Sequence, residues 1–132
     1  MKTIRIQLAA AALVLCGALS ASAGVGGSAD KIRSAVASGS VDAIIAEVER
    51  AEGLACEACI QVVTNLTEDA RYPVREVAAW WFAKRPAMKN MLAEQFDREL
   101  LTGGTLKVRN AADFLGATMT YTALPSLGAA IR

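Results

Sequence analysis

The sequence predicts an all-α fold, an α-solenoid of about three antiparallel helix pairs, lying behind an N-terminal signal helix. Three observations lead there. Apolar residues recur at offsets 0, 3, 4 and 7 in Val41-Ile44-Ile45-Val48, Val74-Val77-Ala78-Trp81 and Val108-Ala111-Ala112-Leu115, each of which is one buried helical stripe. The stripes begin at 41, 74 and 108, intervals of 33 and 34 residues, which is the spacing of helical repeats. The chain is 54% hydrophobic but only 5% aromatic, and β-branched residues never alternate with polar ones over a strand length, so no sheet is expected.

The N-terminus reads as an export signal. Lys2 and Arg5 precede an apolar run from Ile6 to Leu19, which ends in the small residues Ser20-Ala21-Ser22-Ala23. The run is short for a membrane span, which needs roughly 18 or more apolar residues. Residues 1–23 are therefore assigned to a cleaved signal peptide and the protein to the periplasm or the secreted fraction. A lipoprotein signal at Cys16 is disfavoured by Leu15 before it. Residues 24–39, with Gly24, Gly26 and Gly27, are expected to form a flexible leader and a short helix, and 40–132 the repeat domain. Of 14 basic residues the signal removes two, leaving a near-neutral chain with no basic field for nucleic acid or anionic lipid.

Between the three stripes lie further helical segments: Cys56-Cys59-Ile60-Val63, Met88-Met91-Leu92 with Phe96 and Leu100, and Leu124-Leu127-Gly128-Ile131. Each repeat thus becomes a helix pair. Ser40 is suited to an N-cap, Gly53 separates the first pair, Pro73 and Pro125 suit first turns, Pro86 interrupts the chain after Arg85, and Gly103-Gly104 ends a helix.

The stretches Tyr72-Pro73-Val74-Arg75-Glu76-Val77-Ala78-Ala79 and Lys107-Val108-Arg109-Asn110-Ala111-Ala112, the latter followed by Ala123-Leu124-Pro125-Ser126-Leu127, resemble HEAT repeats of the bacterial, phycobilisome-lyase-like kind. The resemblance spans about residues 40–132 and weakens in the first pair, where Asp42 stands in place of the arginine. It implies a right-handed array whose second helices present polar residues to a partner protein. On that expectation Gln61 and Asn65 on one helix and Asn90 and Glu94 on the next form the binding surface. Arg75 and Arg109 are expected along the seams between repeats, meeting carboxylates such as Asp69 or Glu76. The chain stops within an apolar stripe, from which further repeats, a docked chain or self-association at that end are expected.

Chemistry is sparsely encoded. With no histidine, neither a Ser-His-Asp nor a Cys-His site can form, and no glycine-rich loop follows a strand. Cys56-Glu57-Ala58-Cys59 is a C-x-x-C motif, but c-type haem attachment would need a histidine where Ile60 stands, and zinc would need more soft ligands than the mature chain holds. Three states of the pair stay open: a local disulfide, two buried free thiols, or redox or metal chemistry. Trp81 falls on the core stripe, whereas Trp80 is either a second core residue or a partner anchor beside Lys84 and Arg85. The reading that follows is an exported, non-catalytic scaffold with no cofactor or metal. The alternative is a lyase-like or redox and cofactor-handling accessory protein that uses Cys56 and Cys59.

Overall fold

The computed structural model describes residues 28–132. The assigned signal peptide and the glycines before Ser28 lie outside the described residues. Among those described, seven α-helices and one 3-10 turn account for all regular structure, and there is no strand. The helices are α1 (Ala29–Ser38), α2 (Val41–Arg50), α3 (Glu57–Leu66), α4 (Tyr72–Ala83), α5 (Pro86–Thr102), α6 (Thr105–Ala117) and α7 (Leu124–Ala130), with the 3-10 turn Tyr121–Ala123 before the last.

Local chemistry explains most boundaries. The Ser28 and Ser40 hydroxyls cap α1 and α2 by accepting the amides of Lys31 and Ala43, and Gly39 closes α1 in the left-handed region at φ 74°. Pro73 and Pro86 stand in the first turns of α4 and α5, where a missing N–H leaves no bond unmade. At Gly103 a Cβ would come within 2.5 Å of the Glu99 carbonyl oxygen, so only glycine fits the end of α5 as built.

Helix α4 is the hub, touching α2, α3, α5 and α6. Two files result: α2, α4 and α6 lie side by side, and α1 packs on α3 as α5 packs on α7. Trp81 and Phe82 of α4 meet edge to face at 5.1 Å, Phe82 reaches Phe114 of α6 at 6.1 Å, and Phe96 of α5 closes on Phe114 at 4.7 Å. These rings are at most 2% exposed, and burial of each such side chain is worth about 1.5–3 kcal/mol.

Several expectations need correction. The short helix expected within 24–39 is part of the core, because Ile32 is fully buried and Ala29 and Ala35 nearly so. Among helices adjacent in sequence, the most extensive pairings are α1 with α2 and α5 with α6, one helix out of register with the expected pairs. The reason is connection length: Gly39-Ser40 and Gly103-Gly104 are two-residue turns, whereas residues 51–56 separate α2 from α3. On α5 the buried set is Ala93, Phe96 and Leu100, and Met91 is 73% exposed. The apolar stripe of α7 is not buried: Leu124 and Ile131 are exposed, and only Leu127 and Ala130 pack partly on the core.

Candidate functional site

Three arginines with long-range partners hold the interhelical turns. Arg75 is 5% exposed, and its Nε and Nη2 donate to Asp113 Oδ2 of α6 at 2.9 and 2.6 Å while Nη1 donates to the carbonyls of Asp69 and Ala70. Its carboxylate partner is Asp113 of α6 rather than the expected Asp69 or Glu76. Asp69 is taken instead by Arg71, which also donates to the Gly39 carbonyl at 2.8 Å. Hydrogen bonding by the Arg71 side chain holds the Asp69 carboxyl below its usual value against the opposing effect of burial. Arg109 does not repeat the pattern. Its Nε and Nη2 donate to Oδ1 of the adjacent Asn110 at 3.2 and 2.9 Å, and the residue is exposed.

Arg85 is the residue that motif reading missed. Its Nη2 donates to the carbonyls of Ala51, Glu52 and Leu54, its Nη1 donates to Trp81 O, and the guanidinium stacks 3.4 Å above the Trp81 ring. Trp81 Nε1 donates to the same Ala51 carbonyl at 3.2 Å. The carbonyls of the 51–54 turn after α2, of which those of Ala51 and Leu54 also accept one local amide each, are thereby capped by a cation and an indole. Burial draws Arg85 below the usual arginine range, with Glu52 opposing, and arginine remains charged. Its position beside Pro86 was the only sequence signal, and it pointed to a helix break rather than to a clamp.

The expected binding residues do not share one surface. On α3, Gln61 donates to Asn65 at 3.1 Å, and Asn65 borders a cleft against Arg33, Val36 and Ala37 of α1. Asn90 and Glu94 line a separate cavity of about 340 Å³ between α5 and the last turn, with Asp97, Thr120 and Thr122. Asp97 Oδ1 is buried there with no hydrogen-bond partner among the described residues. No group of three His, Cys, Asp or Glu side chains among the described residues is placed to hold a metal.

Trp80 lies elsewhere again. It is 50% exposed, whereas Val77, Ala78, Ala79, Trp81 and Phe82 around it on α4 are all buried. A small groove places it against Val48, Glu49 and Glu52 of the α2 side, and Lys84 pairs with Glu52 at 3.4 Å.

Cys56 and Cys59 form a disulfide at the start of α3. Of the three states the motif left open, the folded chain adopts the bridge. Cys56 is also the helix N-cap, its sulfur accepting the Cys59 amide at 3.2 Å. Comparison of the chain with protein-family models, with curated proteins and with solved structures gives no match.

Proposed function

We propose that this chain is an exported, non-catalytic helical scaffold of HEAT-like repeats that binds a partner protein through the Trp80 groove. Residues 1–23 serve as the export signal on this reading, and the helices stacked along the α2, α4 and α6 file belong to successive layers of a short solenoid, each layer supplying the core that its neighbour lacks. The observation that carries the function is Trp80. A monomeric core has no use for an indole left half in water on its most buried helix, and tryptophan is the residue most enriched at interface centres. Glu49 and Glu52 beside it favour a partner segment with a lysine or arginine, whose cation lies over the indole face.

The test is paired affinity capture with the full chain and its Trp80→Ala variant. A prey retained by the wild type and lost by at least about 30-fold in affinity, at unchanged thermal midpoint, supports the groove, because an interface tryptophan is worth about 2 kcal/mol or more. Equal retention by both proteins rules the Trp80 groove out as the binding surface.

A further inference from the structure

The two bridged cysteines are unequal. Cys59 has no solvent exposure, whereas Cys56 is partly exposed and lines a cavity of about 520 Å³. Leu54, Ile60 and Met88 make the apolar walls of that cavity, and Arg85 and Glu57 are its charged members. Arg85 is fixed beside Cys56 through a shared acceptor: its Nη2 and the Cys56 amide both donate to the Leu54 carbonyl, at 3.1 and 3.0 Å. Cys56 also occupies the N-terminal end of a ten-residue helix, with its sulfur already accepting an amide.

We propose that the Cys56–Cys59 bridge is a thiol–disulfide exchange site, reduced by a dithiol of a partner protein, with Cys56 as the attacked sulfur. A partner thiolate attacks Cys56 Sγ and forms a mixed disulfide; the Cys56–Cys59 bond breaks, and its electron pair stays on Cys59 Sγ, which takes a proton. The partner's second thiolate then attacks its own sulfur in the mixed disulfide, and Cys56 leaves as a thiolate and is protonated. Two electrons and two protons have passed to the pair, and the partner carries the new disulfide.

The site favours attack at Cys56 and its later departure, whereas burial of Cys59 requires its sulfur to be protonated as the bridge opens. Only Cys56 can be reached without opening the helix. When it leaves, its negative charge faces the positive end of α3 and the Arg85 guanidinium, both of which stabilise a thiolate. The charges opposing this are Glu57 in the first helical turn and Glu52, the latter paired with Lys84. The apolar walls fit the side chains that flank a protein dithiol better than they fit a small charged thiol. This inference stands on the α3 groove, apart from Trp80, so neither reading depends on the other.

The experiment uses full-length chain carrying Cys16→Ser throughout, so that only positions 56 and 59 can react, in native buffer with oxidised glutathione as the probe. Cys59→Ser, which leaves Cys56 free, should form the mixed disulfide at least about tenfold faster than Cys56→Ser, whose remaining thiol is exposed only by local opening. Adding Arg85→Met to Cys59→Ser should slow the reaction severalfold. On the chain that keeps both Cys56 and Cys59, reduction by a thioredoxin followed by acid quenching and peptide mass analysis should place the mixed disulfide on Cys56, a readout that needs neither single-cysteine variant to fold. Equal rates for the two single-cysteine variants, or a bridge that thioredoxin reduces only after denaturation, would overturn the proposal. An unchanged rate with Arg85→Met would remove the guanidinium from it.

Discussion

Replacing Asp113 by alanine should be among the most destabilising single changes outside the aromatic core. In the native chain Asp113 Oδ2 accepts two hydrogen bonds from Arg75, whose side chain is 5% exposed against 24% for the aspartate. The substitution leaves Nε and Nη2 of a buried cation without acceptors, while Nη1 keeps the carbonyls of Asp69 and Ala70. Breaking a fully buried pair costs about 3–5 kcal/mol, whereas an exposed pair is worth at most about 1 kcal/mol. The partial exposure of Asp113 and the surviving carbonyl bonds place the expected loss at about 2–4 kcal/mol. For a domain of this size that lowers the thermal midpoint by roughly 10–20 °C.

Urea unfolding followed by both tryptophan fluorescence and far-ultraviolet circular dichroism measures the loss, with an unchanged slope confirming that the denatured state is the same. The double variant Arg75→Met/Asp113→Leu should recover much of the stability, because an apolar pair of similar volume removes the stranded charge. A loss below about 1 kcal/mol for Asp113→Ala would refute the reasoning, since the pair would then behave as a solvated one and the α4–α6 seam would rest on apolar contacts alone.

Other outcomes follow from particular geometries. Met119 holds φ 50° at the end of α6, where Thr120 and Met119 amides return to the Leu115 and Gly116 carbonyls, so Met119→Gly should stabilise by about 0.5–1 kcal/mol in the same urea assay, relief of left-handed strain exceeding the added chain entropy. Gly39→Ala, at φ 74° with nothing near its Cβ, should cost about 1 kcal/mol for backbone reasons only. Asp69 has a folded pKa depressed below 3.8, so its contribution is present above that value and is lost as pH falls below about 4; Asp69→Asn should narrow the gap between urea midpoints at pH 7 and pH 3. Acrylamide should quench only part of the tryptophan emission, and Trp80→Phe should leave a blue-shifted, protected signal from Trp81, which is 1% exposed.

The helical class and most helix boundaries were legible because they depend on local chemistry. The apolar offsets of Ile44 and Val48, or of Val74, Val77 and Trp81, record which side of a helix avoids water, and Ser40, Pro73, Pro86 and Gly103 act within one turn of where they stand. The C-x-x-C spacing likewise brought Cys56 and Cys59 within reach of each other across a first turn, and left open whether they would bond. The α5 register was harder to read, because methionine and alanine both pass as apolar, and only packing showed that Ala93 faces inward and Met91 outward.

The tertiary structure alone decided which distant groups meet. Nothing in the local sequence of Arg85 indicates that three carbonyls more than thirty residues earlier will need a donor, or that its plane will lie on Trp81. The same holds for Arg75 and Asp113, separated by 38 residues and joined only when α4 lies beside α6. It was also packing that divided the two adjacent tryptophans: periodicity assigned Trp81 to the core, and the contacts of α4 with its four neighbours left Trp80 at the surface. Amphipathic periodicity is a property of each helix by itself and survives in the sequence. Partner choice depends on how helices stack, and a neutral backbone carbonyl at a helix end carries no residue-specific signal of who will satisfy it.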